Sequence, residues 1–290
     1  MSGQEGSKAF YVQEVRYAAG TGPETARDLI AQEVAIALVY NGLSHVVMMA
    51  SPTALEDFAL GFSLSEGIIE RPEQLYGIDI EQQKLGIELH IEIAAECFAK
   101  LKEHRRNLAG RTGCGLCGAE SLQQAVGTPK AVETAPMPDS TAIETALAQL
   151  KANQPLQSVT GAVHGAALCD LSGNILLLRE DVGRHNALDK LIGALSADRG
   201  QYPANGDSFV LISSRASYEM VNKCTSVGIS TLVAVSAPTA LAVEHAITAG
   251  MNLIGFARPG RHVIYTAGQG ADVQTTEQET TLASAEHVSD

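Results

Sequence analysis

The sequence predicts an α/β protein. Its second half carries a mostly parallel, mixed sheet covered by helices on both faces, and a smaller α+β domain precedes it. Three observations carry this reading. From about residue 141 onward short apolar strands alternate with helical stretches, a rhythm that implies right-handed crossovers and largely parallel strands. The first half shows a hairpin signal and one cleanly alternating strand among helices. Between the halves, Pro129, Pro136 and Pro138 with polar neighbours mark a linker. The organisation read is therefore 1–126 as the α+β domain, 127–140 as the linker, 141–266 as the α/β domain and 267–290 as a disordered acidic tail.

Taken in order, residues 1–30 are polar and read as loosely ordered at the start. Val34 to Tyr40 and Val46 to Met49 are strands around the two-residue turn signal Asn41-Gly42. Ser51-Pro52 opens a helix to about Glu66, with proline at the first helical position and Glu56 and Asp57 in its first turn. From Gly86 to Ile93 the residues Ile87, Leu89, Ile91 and Ile93 alternate with Glu88, His90 and Glu92, a half-buried strand. A helix over about 94–108 turns basic at its end, and another is expected over 119–126. The second half reads as helix 141–152, strands 163–169 and 174–180 around Ser172-Gly173, helix 184–196, strand 208–213, helix 216–226, strand 231–236, helix 239–249, and strands 252–257 and 262–266. Parallel sheets bind ligands at the carboxyl ends of their strands. That rule selects Ser213-Ser214-Arg215, Ser236-Ala237-Pro238 and the Arg258 to Arg261 loop. From Ala267 onward there is no Lys or Arg.

The composition narrows the function classes. A net charge of −13 and the lack of tryptophan argue against a general nucleic-acid binder. Met1 to Lys8 lacks the apolar core of a secretory signal, and no apolar run approaches the roughly 20 residues of a membrane span. A cytoplasmic protein is expected, with no membrane partner. Five cysteines, an odd number, fit reduced thiols better than a disulfide framework. Cys97, Cys169 and Cys224 sit in apolar or helical surroundings and read as small buried hydrophobes.

The remaining two thiols stand in Arg111-Thr112-Gly113-Cys114-Gly115-Leu116-Cys117-Gly118. Glycine on every side gives this stretch backbone freedom. Lys100, Lys102, Arg105, Arg106 and Arg111 lead into it against Glu103 alone, in an otherwise acidic chain. Nearby cations and a following helix N-terminus lower a cysteine pKa from about 8.5 toward roughly 3.5–7.5, so a reactive thiolate is expected. Several chemistries use one. Zinc wants four ligands, and no second Cys-x-x-Cys is present; His164, His185 or Cys224 would have to complete the site. Zinc deaminases need a glutamate two residues after the histidine and a cysteine pair downstream. Here His164 is followed by Gly165 and Ala166, and the pair lies upstream. No metal site is therefore expected. Thioredoxin-like exchange expects a βαβ setting, whereas this pair lies between two predicted helices. In persulfide transfer one cysteine holds a sulfur atom and a second helps release it through a transient disulfide.

The ordered set of motifs resembles the formate dehydrogenase accessory sulfurtransferases, the FdhD/NarQ family, over about residues 30–266. Its parts are the Cys114 stretch, Thr160 to Ala166, Glu180 to Lys190, Ser213 to Met220, Val235 to Ala242 and Gly255 to Arg261. The resemblance implies a sulfur carrier between a cysteine desulfurase and the molybdenum or tungsten bis(guanine dinucleotide) cofactor of formate dehydrogenase, the sulfur becoming a terminal ligand of the metal. By motif match Cys114 carries the persulfide and Cys117 assists, and Phe256, Ala257, Arg258, Pro259, Gly260 and Arg261 form the cofactor-binding segment. The second half is expected to have the cytidine-deaminase-like three-layer α/β/α fold without zinc. A homodimer is expected, and GDP-like nucleotides would occupy the same site.

The residues agree with an anion pocket. Arg258 and Arg261 around Pro259-Gly260 are placed to fork onto phosphate oxygens. Arg184 and His185 begin a helix, a natural phosphate position. His164, Ser213 and Arg215 belong to the matching motifs. Asp181 or Asp189 offers a guanine acceptor, against the plainer readings of a helix cap and of a solvated helix face shared with Lys190. Two other readings stay open: a zinc-stabilised chaperone that holds the cofactor, and a Cys-x-x-Cys thiol-disulfide oxidoreductase.

Overall fold

Alternation along single strands decides how the layers of this protein stack. The computed structural model describes residues 9–19, 22–109, 127–198, 201–203 and 205–268. Strands β7 (His164–Asp170), β8 (Ile175–Asp181), β9 (Ser208–Ile212), β10 (Thr231–Ala234), β11 (Asn252–Arg258) and β12 (Arg261–Thr266) form a six-stranded sheet in the order β12-β11-β10-β9-β7-β8. In β9, Phe209 and Leu211 face one core while Val210 and Ile212 face another. In β7, Ala167 and Cys169 oppose Ala166 and Leu168 in the same way. This is the period of two expected of a sheet buried on both sides. Helix α3 (Ser140–Ala152) covers one side through Ile143, Ala146 and Leu150. Helices α5 (Arg184–Ala197), α6 (Tyr218–Ser226) and α7 (Ala240–Ala249) cover the other.

The sheet is mixed, with its parallel part confined to β9, β10 and β11. β7 and β8 form a hairpin, β9 runs antiparallel to β7, and β12 returns antiparallel to β11. Parallel pairing is thus less extensive than the strand–helix rhythm suggests, because two consecutive strand pairs are joined by tight turns, which only antiparallel partners allow. Residues 127–139 have no regular structure and lead into α3, whose cap Asp139 accepts from the Ala142 amide at 2.8 Å.

In the first half β3 (Val34–Tyr40), β4 (Leu43–Ala50), β5 (Leu75–Gln83) and β6 (Gly86–Ile93) form a sheet in the order β4-β3-β6-β5. The Asn41-Gly42 turn has positive φ at both residues, 46° and 80°, as a two-residue hairpin of this twist requires. Ile36, Leu38, Tyr40, Ile87, Leu89 and Ile91 enter the same core as α5 and the inner face of the six-stranded sheet. Helix α1 (Leu55–Ser65) lies between, and α2 (Ala95–Ala109) follows β6. α1 and α5 cross at glycines: a Cβ on Gly61 would lie 1.7 Å from the Asp189 carbonyl oxygen, and one on Gly193 1.9 Å from that of Asp57.

Several elements depart from expectation, among them β5, which the sequence reading does not include. Residues read as loosely ordered form the hairpin of β1 (Phe10–Ala19) and β2 (Gly22–Ala31), a two-stranded sheet of its own. Its Phe10, Tyr11 and Val12 are exposed in succession, so it lacks the buried face that makes a strand legible. α1 begins at Leu55 because Ser51 is drawn into other bonds: its amide donates to Asp181 Oδ2 at 2.9 Å, and its hydroxyl accepts from the Val182 amide at 3.1 Å. The short helix α4 (Pro155–Thr160) is too brief to show a period. The helix expected over 119–126 and the tail beyond Gly268 lie outside the described residues.

Candidate functional site

The loop rule singles out the carboxyl ends of β9 and β11, and these form one end of a cavity of about 940 Å³. Ser213, Val235, Ala257, Arg258 and Pro259 line it from the sheet. Helix α3 contributes Glu144, Leu147, Ala148, Leu150 and Lys151, and Gln154, Gln157 and Ser158 complete the wall at α4. The volume suits a cofactor-sized ligand.

Local sequence explains the loop. Pro259 presets the first central φ of the turn, and Gly260 supplies the positive φ of 75° that a type II turn needs at the second. Arg258 and Arg261 are direct register partners across it, and both are exposed. The Gly260 amide donates to Glu144 Oε1 at 3.1 Å, which ties the turn to α3. Phe256 adopts φ 50°, rare for a bulky residue, and its amide donates to the Ser236 carbonyl at 3.1 Å. Among the described residues Arg258, Arg261, Lys151 and Arg215 form no ion pair, although the chain is acidic overall.

The site residues read from sequence divide into two groups. Ser213, Ala257, Arg258 and Pro259 line the cavity, with Gly260 and Arg261 completing the turn. His164, Arg184 and His185 gather instead at the start of α5. His164 is half-buried, and burial together with the Arg184 guanidinium pushes its pKa below the ordinary histidine value, against the pull of Asp181. Burial and Arg184 lower His185 as well, although Glu219 stands 3.7 Å away. Arg184 Nε is buried without a hydrogen-bond partner among the described residues. The groups meet through Gly165: its amide donates to Ser213 Oγ at 2.9 Å, and the Ser213 amide donates to its carbonyl at 3.0 Å. Phe256 and Arg215 are not part of the cavity wall.

Two expectations are corrected. Neither Asp181 nor Asp189 is available to a base. Asp181 is fully buried and accepts from Lys190 Nζ at 2.5 Å, the Gly183 amide at 2.8 Å and Asn186 Nδ2 at 3.1 Å. Asp189 is equally buried and pairs with Lys223 at 2.9 Å. Nor is Asp189-Lys190 a solvated helix face, since α5 is enclosed by α1 and the sheet and Lys190 is wholly buried. Sequence reasoning missed Gln154, Gln157, Ser158 and Lys151; Pro155, at a first helical position, was the available signal.

Cys97, Cys169 and Cys224 are buried thiols as expected. Burial raises all three, Cys169 to about 12. Cys114 and Cys117 lie outside the described residues. Of the basic run before them, Lys100 pairs with Glu70 at 3.0 Å and Lys102 stands 4.6 Å above the Phe98 ring. Among the described residues His164, His185 and Cys224 do not come together as a metal-ligand set; the ligand atoms that do are those of Glu81, Glu88 and His90, on β5 and β6.

The FdhD/NarQ family model matches residues 31–271. This chain belongs to the FdhD/NarQ family. A sulfur carrier protein FdhD of Cupriavidus necator is 54% identical over 242 residues, 83% of each chain. That of Bordetella petrii is 50% identical over 246 residues, 84% of this chain and 87% of its own. A crystal structure described as a formate dehydrogenase accessory protein, from Desulfotalea psychrophila, superposes with a TM-score of 0.71 at 23% identity, over 90% of this FdhD/NarQ chain and 98% of the other. The likeness extends the α/β architecture to that protein. Among the described residues no helix is long and apolar enough to cross a membrane.

Proposed function

We propose that this chain is a sulfur carrier that takes sulfur from a cysteine desulfurase on Cys114 and delivers it to the bis(guanine dinucleotide) cofactor of formate dehydrogenase, with molybdenum or tungsten as the metal. The Cys114 thiolate attacks the terminal sulfur of the donor's persulfide and displaces the donor's cysteine thiolate. Cys114 then holds the sulfur as a persulfide. Attack by the Cys117 thiolate on the Cys114 sulfur forms a disulfide and releases the terminal sulfur as hydrosulfide at the acceptor. A cellular thiol then reduces the disulfide. The basic run before Cys114 favours the thiolate and the anionic persulfide.

The observation that carries the reading is the set of cations Arg258, Arg261 and Lys151, which form no ion pair among the described residues and stand at a cavity on the carboxyl ends of the strands. Phosphate groups of the cofactor, the substrate here, supply the missing anions, and GDP-like nucleotides fit the same place. The names of the similar proteins support the sulfur chemistry. Cytoplasmic placement and a homodimer belong to the same proposal.

The test is direct. Protein incubated with a desulfurase and cysteine, then alkylated and digested, is expected to carry one additional sulfur atom on the Cys114 peptide. Cys114→Ala is expected to carry none and to leave formate dehydrogenase inactive. Sulfur retained on Cys114→Ala together with an active dehydrogenase overturns the reading.

A further inference from the structure

We infer that the cationic Arg258–Arg261 turn docks an acidic segment of this same chain, residues 269–290, and that the segment competes there with phosphate. The competition rests on the nucleotide reading above; the docking does not.

The receiving surface is exposed and short of acid. Arg258, Arg261 and Lys151 are exposed and form no ion pair among the described residues. Glu144 is the one acid among the residues that line the cavity, and its Oε1 already accepts from the Gly260 amide at 3.1 Å. Three cations thus stand against one engaged carboxylate, in a chain whose net charge is −13. Such a cluster attracts carboxylates that come within a Debye length, about 10 Å at moderate salt.

The chain itself supplies them. No Lys or Arg follows Arg261, whereas Asp272, Glu277, Glu279, Glu286 and Asp290 do. The family match ends at residue 271, so all five acids lie beyond it. Their starting point is fixed. The Gly268 amide donates to Asn252 Oδ1 at 2.7 Å, at the first residue of β11. Arg258 closes the same strand six residues on, about 20 Å away at roughly 3.3 Å per residue. Asp272, four residues past Gly268, reaches only about 13 Å when extended and falls short. Glu277, nine residues past Gly268, reaches up to about 30 Å, and Glu279 follows it. These two are the first acids able to span the strand. Exposed ion pairs are individually weak. The tether compensates, because a short linker holds its ligand at a millimolar effective concentration. Carboxylates therefore cover the turn until a phosphate ligand displaces them.

Carbodiimide coupling of carboxylates to lysine amines, applied to the full-length protein and read by mass spectrometry, tests the docking. Lys84, an exposed lysine between β5 and β6, is the control. The amide from Lys151 to the peptide that holds Glu277 and Glu279 is expected at about tenfold the yield of the amide from Lys84, the advantage of a tethered ligand. Equal yields at the two lysines, or none at Lys151, overturn the docking. Calorimetry with GDP tests the competition. Glu277→Gln/Glu279→Gln is expected to bind GDP about threefold more tightly than wild type at low salt, with the gain gone at about 0.5 M salt. Equal affinities at low salt overturn the competition. Wild-type protein that forms the Lys151 amide but binds no GDP overturns the nucleotide reading and leaves the docking in place.

Discussion

Lys190 and Lys223 are the side chains that most constrain the core. Lys190 Nζ donates to Asp181 and to the Ser51 carbonyl, so one ammonium joins α5, β8 and the loop before α1. Burial lowers its pKa, and Asp181 opposes the shift. Burial disfavours the Lys223 ammonium too, yet Asp189 and Glu66 hold its pKa above the ordinary lysine value. Removing one member of such a pair leaves an uncompensated buried charge and costs about 3–5 kcal/mol. Lys190→Met is therefore expected to lower the unfolding free energy from urea titration by that amount, and Asp181→Leu/Lys190→Met by clearly less; equal losses would deny the coupling. The histidines at the α5 start give a pH dependence. Their folded pKa values lie below the unfolded one, so the unfolded chain binds more protons in that window and stability rises with pH. Stability is expected to be complete above about pH 6.5 and to fall on acidification below it. His164→Gln should flatten that decline, and an unchanged slope in denaturant titrations between about pH 7 and 5 would contradict it.

At the scale of elements, the α1–α5 crossing is the tightest contact between the two halves. With no room for a Cβ at Gly61 or Gly193, the helices meet backbone to backbone. Gly193→Ala forces them apart and is expected to cost at least about 2 kcal/mol, read as a lower denaturation midpoint. An unaltered midpoint would show that the crossing adjusts freely. Elements whose residues alternate or repeat against one buried face were legible in the sequence. β6 shows it through Ile87, Leu89, Ile91 and Ile93, and the strand–helix series after residue 163 agrees with the structure to within about two residues at most boundaries. Elements defined by tertiary contacts were not. Nothing local to Asp189-Lys190 reports that α5 is enclosed on all sides, and nothing local to Gln154 reports that a β7 glycine makes room for it. The Arg258–Arg261 turn was legible because proline and glycine specify it locally, whereas the α3–α4 wall opposite it was not.

At the scale of the molecule, one core runs from the first sheet through α1 and α5 to the second, so the halves are mechanically joined. In a chain with a net charge of −13, Arg258 and Arg261 stand at the cavity with no ion pair among the described residues, and the proposed function separates sulfur loading on Cys114 from delivery at this turn. The Arg258→Ala/Arg261→Ala variant tests that separation most directly, with sulfane sulfur on Cys114 and activation of sulfur-free formate dehydrogenase measured on the same preparation. Loading equal to wild type is expected, with activation reduced by about tenfold or more, the scale of lost charge-assisted phosphate contacts. Full activation by a normally loaded variant would contradict it.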